Sequence, residues 1–534
     1  MLADLNMALK KPQELLQRVY DEREPRTLDK IEPAVEAAFA SLFTDAIARQ
    51  QLPCLGASST ASSLPPAGTL VRFRGMVQDT SYGNELFQAV DSQGKLVMYG
   101  FESASAEPAD SEDYTALRER QVFWAVTPPA ETAWYKKSLQ DSDIQVEVAK
   151  LKLAEDKRDS AFAQKYPLPE EPHFGCALKI YGQLAESLKS TDVREFIGIM
   201  GEDIYATGFD GQLETTVDAP TVPAVHVILA LPAVEQLESS QEMDAASIRA
   251  ELLAYLASGL GGDNEAAEWL LLALLTRVHT RHATGLPLGA MSLNLALPAG
   301  FQDATVEILS SIVPRLSKMN LSIPVLNDIK TRMAPRSTDA GLDSGALQLP
   351  NGTRVIVDMR GITEGKLDDR GVRNLRHLAT TMAQQKLSYE FPFSCFELET
   401  DLPFVLLSEG KAIIPADCTV YVHPVSNDCQ LSSPTADQLE RFRAYIAGAR
   451  EADLNIPEEM TEVIQADFVD RRQKSVGGSG MSQEDLLFRM TVARLMASSM
   501  GSLTLTKEAW FKTADLDERR KEKAPVAAKN TSSA

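Results

Sequence analysis

Gly259-Leu-Gly-Gly-Asp-Asn-Glu-Ala-Ala-Glu268 runs straight into Trp269-Leu-Leu-Leu-Ala-Leu-Leu275, and the reading of this stretch decides the fold. A glycine-rich turn that opens a helix is a place where backbone N–H groups and the helix dipole receive phosphate. The helix, placed over Trp269–Val278, is apolar nearly all round, so it is expected at the centre of a core, buried on every side. A working P-loop also needs a lysine for the β- and γ-phosphates and a Ser/Thr hydroxyl for Mg²⁺, in the order GxxxxGK[ST]. This turn offers Asp263, Glu265 and Glu268 instead, and carboxylates repel a triphosphate. The stretch therefore reads as a glycine turn with an N-cap, and Glu265 as a loop residue whose replacement costs little.

On either side of it, helices alternate with short apolar strands at Val225–Leu231, Ser292–Leu297, Val355–Val357 and Phe404–Leu407. Such alternation predicts an α/β layer with a largely parallel sheet. Val355-Ile-Val-Asp358 has the form of a Walker B strand, but Met359 stands where the water-orienting glutamate belongs. Gly361-Ile-Thr-Glu-Gly365-Lys366-Leu367 has one residue too few between its glycines and ends on leucine. Phosphoryl transfer has no charge clamp here, so no catalytic residue and no cofactor-binding residue is assigned.

Beyond Pro434 the pattern is purely helical. Thr435 with Gln438 forms a capping box for a helix to Arg450, Ile456–Arg471 forms a second, and Ser482 with Asp485 opens a third that stops at Gly501. Upstream, apolar residues recur at helical spacing from Gln13 to Ala48, and from Thr69 the period becomes two. Val71, Phe73, Gly75 and Val77 share one face and Arg72, Arg74 and Gln78 the other, the mark of a half-buried strand. Further strands are predicted at Leu86–Val90, Leu96–Tyr99, Val122–Val126, Ala177–Tyr181 and Phe196–Met200. Short strands with glycine corners suggest a small barrel of the OB type, interrupted by a charged helical insertion between Gln140 and Gln164.

The expected class is α+β, multidomain: an OB-like N-terminal part, an α/β core and a C-terminal helical lid. Its boundaries are a helical region over 1–55, a linker over 56–68, the β-rich domain over 69–202, a linker over 203–223, the α/β core over 224–430, the lid over 431–520 and a disordered tail over 521–534. Ser475–Ser482 is expected as a flexible loop between the second and third lid helices.

With 53 Lys and Arg against 75 Asp and Glu, a formal charge of −22, the 534-residue chain repels nucleic acid and anionic membrane at long range. Its five cysteines (Cys54, Cys176, Cys395, Cys418, Cys429) are odd in number, far apart and without a CxxC pair, which speaks against a disulfide framework or structural zinc. A reducing compartment follows, with no signal peptide and no apolar run long enough to span a bilayer. His279 and His282 lie three apart without a third ligand, so they read as exposed helix-end histidines and no metal ligand is assigned. Arg72 and Arg74 beside Phe73 and Phe87 would line a single-stranded nucleic-acid groove on an OB barrel, but the overall acidity favours a solvated strand face. Arg519-Arg-Lys-Glu-Lys523 reads equally as a nuclear localisation signal or a charged helix end.

A set of stretches, in order, then carries a resemblance. They are Leu70-Val-Arg-Phe-Arg-Gly-Met-Val-Gln-Asp79, Leu117-Arg-Glu-Arg-Gln121, Leu286-Pro-Leu-Gly289, Leu293-Asn-Leu295, Leu321-Ser-Ile-Pro324 and Gly345-Ala-Leu-Gln-Leu349. Glu364-Gly-Lys-Leu367, Leu407-Ser-Glu-Gly-Lys411, Pro415-Ala-Asp-Cys418 and Ala466-Asp-Phe-Val469 continue the series, which spans nearly the whole chain as far as Trp510. Together they resemble the mini-chromosome maintenance (MCM) complex-binding protein family. The resemblance implies a nuclear protein that binds MCM helicase subunits, promotes their assembly or release from chromatin and supports DNA replication and sister-chromatid cohesion. It also implies the build of an MCM subunit, with a degenerate AAA+-like core. Where the family pattern has Asp-Glu-Thr, this chain has Asp358-Met-Arg360. The expectation is a non-catalytic binding protein with no cofactor, whose partner-binding residues the sequence does not name; a weak ATP-dependent remodeler and an OB-type single-stranded DNA binder are the alternatives.

Overall fold

The structure is a computed structural model. It describes residues 2–525 apart from 24–27, 29, 58, 60–62, 92–94, 102–116, 140–163, 205–220, 234–243, 339–340, 363, 411, 427–428, 430 and 475–480. The predicted insertion between Gln140 and Gln164 and most of the 203–223 linker, the Ser475–Ser482 loop and the tail therefore lie outside the described residues. Lys521 and Glu522 do not belong to a disordered tail: they are the last turn of the helix Lys507–Glu522.

Five strands of the N-terminal half pair in a closed circuit. They are β1 (Leu70–Asp79), β2 (Leu117–Val126), β3 (Gly175–Tyr181), β4 (Val193–Ile204) and β5 (Thr221–Pro232). β1 pairs antiparallel with both β2 and β4, β2 with β3 and β4 with β5, and a parallel pairing of β3 with β5 closes the ring. Val71, Phe73, Val77, Leu178, Phe196 and Val225 fill one buried cluster of this sheet. The helices Pro12–Asp21 and Ile31–Phe43 cover another face, packing Leu15, Leu16, Val35 and Phe39 with Ile197, Ile199 and Leu229.

Two expectations change here. Val225–Leu231 was expected as a strand of the α/β layer, but it is part of β5 and completes the first sheet, since its long pairing with β4 outweighs the short, apolar look of the segment. Leu96–Tyr99 forms no strand beyond a single bridge from Leu96 to Val90; its residues turn into the core as part of a helix-covered loop. β1 is also more than half-buried: Gln78 is fully enclosed, because a shift of register between Val77 and Asp79 turns the strand toward the second half of the molecule.

The second sheet is wholly parallel, as the alternation predicted. It consists of β6 (Leu293–Leu297), β7 (Leu316–Asn320), β8 (Arg354–Asp358), β9 (Phe404–Glu409) and β10 (Cys418–Tyr421), in the order β7-β8-β9-β6-β10. The apolar helix spans Asn264–Leu275, ending before Val278, and every residue from Trp269 to Leu275 is buried. Its one core also takes in β6, the helix Ala245–Ser258 and the C-terminal helices Ala436–Glu451, Gln483–Ser499 and Lys507–Glu522, through Phe442, Val492, Met496 and Trp510. The C-terminal helical region thus packs directly on the α/β layer. Both predicted capping boxes are present, Thr435 with Gln438 and Ser482 with Asp485.

The two halves meet through buried polar contacts. The Gln348 side-chain amide donates to the Gln78 carbonyl at 2.7 Å and to Ser190 Oγ and Tyr389 OH at 3.2 Å each, and Leu342 N–H donates to Asp79 at 3.3 Å. Lys165, 1% exposed, reaches Asp79 at 3.5 Å; burial lowers its ammonium pKa, opposed by Asp79 and Asp343. Near the start of β7, Leu316 N–H donates to the Ala130 carbonyl at 2.8 Å and Thr132 N–H to the Pro314 carbonyl at 3.0 Å, tying the segment after β2 to the second sheet.

Candidate functional site

In a parallel α/β sheet, ligands bind at the carboxyl ends of the strands, where a strand–turn–helix presents free N–H groups. Among the turns in that position is Pro298–Ala304, between β6 and the helix Thr305–Ile312. The Gly259 turn is not among them. It joins two helices, Ala245–Ser258 and Asn264–Leu275, and follows no strand of this sheet.

The geometry of the Gly259 turn agrees with an N-cap. Asp263 accepts from the backbone N–H groups of Glu265 (3.0 Å) and Ala266 (3.1 Å) with one carboxylate oxygen and from His423 N–H (2.8 Å) with the other. Gly261 has φ +65°, and a Cβ there would come within 2.5 Å of Pro424 and 2.7 Å of the Ser426 carbonyl oxygen, so the 423–426 segment lies directly on the turn. Glu265 is not a free loop residue: it stands in the first helical turn, 2.9 Å from Lys523 of the last helix. Glu268 pairs with Arg249.

Laid on the spacing GxxxxGK[ST], the turn after β6 reads Pro298 and Asp303 at the glycines, Ala304 at the lysine and Thr305 at the hydroxyl. Both glycines and the lysine of a P-loop are replaced. The strand at Ser292–Leu297 and the hydroxyl of Thr305 are the signals left in the sequence, and they are weaker than the glycine run at 259–262.

What fills the turn is the chain's own ion pairs. Asp303, whose side chain is 3% exposed, accepts from Thr305 N–H at 3.1 Å, so a carboxylate occupies the helix N-terminus that would otherwise face a phosphate. Arg360 donates through one terminal nitrogen to Asp303 at 2.8 Å, and through Nε and its other terminal nitrogen to the two oxygens of Asp358 at 2.9 and 2.7 Å. Burial alone would raise the Asp358 carboxyl, but hydrogen bonds from the Arg360 side chain and backbone outweigh it and hold the pKa below the usual range. The same pairing with Asp358 raises Arg360 above the ordinary guanidinium value. Gly300 N–H donates to Glu409 at the end of β9, at 3.3 Å. Asp358, the Walker-B-like residue, thus does sit at this strand end, but it is bound by the arginine at the third position of Asp358-Met-Arg360.

The remaining sequence candidates do not converge on this place. His279 and His282 are exposed, as expected, but they flank the short hairpin of Thr280–Arg281 with Pro287–Leu288, because the preceding helix stops at Leu275. Among the described residues no group of three or more His, Cys, Asp or Glu is placed to hold a metal. No disulfide joins cysteines among the described residues. Arg72 lies 3.6 Å from Glu195, and Arg74 pairs with Glu131 and stacks over Tyr135, so the expected solvated face of β1 is instead a set of largely covered ion pairs. Phe73 and Phe87 are buried. Arg520 pairs with Asp517 at 2.6 Å and lies over the Trp269 ring, so the basic cluster at 519–523 closes a packed helix.

The family model described as mini-chromosome maintenance replisome factor matches residues 39–162 and 144–524. The chain belongs to that family. It is similar to proteins named mini-chromosome maintenance complex-binding protein from three distant organisms. The Danio rerio protein is 27% identical over 560 residues, covering 85% of this chain and 88% of that protein. The Arabidopsis thaliana protein is 28% identical over 561 residues, covering 91% and 92%. The Homo sapiens protein is 26% identical over 574 residues, covering 85% and 88%. The family expectation drawn from scattered short stretches thus holds along nearly the full chain.

Proposed function

We propose that this chain is a non-catalytic binding protein for subunits of the MCM helicase, built in the likeness of such a subunit. The relatives' shared name supports the partner. The absence of hydrolysis rests on one observation: Asp303, Arg360 and Asp358 join across the carboxyl end of the parallel sheet, with Asp303 on the helix N-terminus and Ala304 at the lysine position. A triphosphate would have to displace an ion-pair network and meet a carboxylate there, with no cation from the turn to offset its charge.

On this reading the closed five-strand circuit is the OB-like barrel, the β6–β10 layer a degenerate AAA+-like core and the C-terminal helices its lid. The chain presents a subunit-like surface to a neighbouring subunit while contributing no chemistry. It acts in the nucleus, where it promotes assembly or unloading of MCM complexes and so supports replication and sister-chromatid cohesion. No direct nucleic-acid binding is required of it, since Arg72 and Arg74 are largely covered and lie against Glu195 and Glu131. The test is isothermal titration of the purified chain with ATP and Mg²⁺ beside capture of purified MCM subunits. Capture without detectable ATP binding supports the reading; micromolar ATP affinity with turnover would replace it with the ATP-dependent remodeler.

A further inference from the structure

Between the helix Asp369–Gln384 and β9 the chain throws out a hairpin, Lys386–Glu390 paired antiparallel with Cys395–Glu399. The second strand ends its four-stranded sheet, and all five of its residues are exposed. Thr400 N–H donates to the Gln385 carbonyl and Phe391 N–H to the Ser394 carbonyl, both at 2.9 Å. By antiparallel alternation, Leu387·Leu398 and Tyr389·Phe396 are then the hydrogen-bonded pairs, and the N–H and C=O groups of Cys395, Glu397 and Glu399 face away from the sheet.

Side chains divide with the same period. Leu387 and Tyr389 are buried on the sheet's inner face, and their cross-strand partners Leu398 and Phe396 continue that face into the open at 38% and 57% exposure. Phe393 at the turn is fully exposed and Phe396 stacks edge-on against Phe391. On the other face Glu397 and Glu399 reach Lys386 (3.5 Å) and Arg281 (3.2 Å) while their own carboxylates stay largely in solvent, at 46% and 69% exposure. Such pairs are weak and exchange readily for better-placed cations. Proteins usually blunt an edge of this kind by shortening it, covering it or placing lysine or proline on it. Among the described residues it is left open, and it is held in place: Tyr389, one pair short of the hairpin's last pair before the turn, is hydrogen-bonded to Ser190 (2.7 Å) and Gln348, so the inner strand is fixed near its turn to both halves of the molecule.

We infer that Cys395–Glu399 is a β-augmentation site, where an extended segment of the partner protein adds a strand. The occupant alternates apolar residues, which lie against Phe396, Leu398 and Phe393, with Lys or Arg facing Glu397 and Glu399. This inference rests on the partner reading above and assigns it an anchoring surface.

The test uses two variants of the full chain. Glu397→Pro removes one outward N–H and leaves the hairpin's own ladder untouched, since that N–H is not part of it. Phe393→Ser removes an exposed anchor that supports nothing in the fold. Affinity for immobilised purified MCM subunits is measured for each, with thermal denaturation beside it. Both variants are expected to melt like the parent and to bind roughly tenfold or more weakly, the loss of about one backbone pairing or one aromatic anchor. If the parent captures MCM subunits and both variants do so equally well, the hairpin assignment falls while the partner reading stands. If the parent captures none, the partner reading itself falls, and the hairpin assignment with it. Self-association of the parent that either variant abolishes would make the occupant a second copy of this chain and overturn the inference.

Discussion

Arg360→Ala is the perturbation that reads the closed sheet end most directly. The substitution removes three charge-assisted hydrogen bonds and leaves Asp303 and Asp358, with side chains 3% and 13% exposed, facing one another without the cation between them. Breaking a buried pair from one side costs about 3–5 kcal/mol. Arg360 itself is 22% exposed, so solvent screens part of that loss and about 2–3 kcal/mol is expected. In a unit of about 150–250 residues this lowers the melting temperature by roughly 4–12 °C. The pH dependence has a definite sign. Asp358 has a lowered folded pKa, so its contribution is complete above the ordinary carboxyl value near ~3.9 and fades as pH falls through the lowered one. The gap between parent and variant should therefore be full at pH 7 and shrink below about pH 4, as the Asp358 carboxylate that Arg360 holds ionised takes up its proton. A second substitution, Asp303→Ala on the Arg360→Ala background, should recover part of the loss. Scanning calorimetry over pH 3–8 measures all of this. An Arg360→Ala chain that melts like the parent at pH 7 would refute the ion-pair account, and ATP binding gained by it would show that Arg360 alone had closed the site.

Two further substitutions test the core and the Gly259 turn. Leu271→Ala or Leu274→Ala, each at 0% exposure, should cost about 2–5 kcal/mol by lost burial and a residual cavity, seen as a lower melting temperature with partner capture lost in parallel. Glu265→Lys should cost about 1–2 kcal/mol by denaturant titration, because it breaks the pair with Lys523 and places a cation in the first helical turn, and it should confer no hydrolysis.

The parallel sheet, the buried helix and both capping boxes were legible because each rests on local periodicity: apolar runs at Val355–Val357 and Phe404–Leu407, an all-round apolar Trp269–Leu275, and Ser/Thr three residues ahead of Asp/Gln. β7 and β10 were missed because Leu316-Ser-Lys-Met-Asn320 and Cys418-Thr-Val-Tyr421 are short and mixed, and their strand character comes from pairing with β8 and β6. Val225–Leu231 was legible as a strand, but its place in the first sheet was not, because it is set by long-range pairing with β4 and β3 that no local window shows. The site failed at one point. Glycine density marked 259–262, whereas the position that matters is fixed by following a strand, and there the substituted residues Asp303 and Ala304 erase the sequence signature while Arg360, 57 residues on, completes the closure. No window of sequence contains both ends of that pair.

The most direct test of the central claim is equilibrium binding of the purified full-length chain to purified MCM subunits, measured with and without ATP and Mg²⁺, with nucleotide occupancy of this chain followed in the same samples. Saturable binding whose affinity is unchanged by nucleotide when the MCM subunits' own sites are held empty by substitution, with no nucleotide bound to this chain, is the predicted result. Binding that requires nucleotide bound at this chain's own sheet end, or an absence of MCM binding altogether, would contradict it.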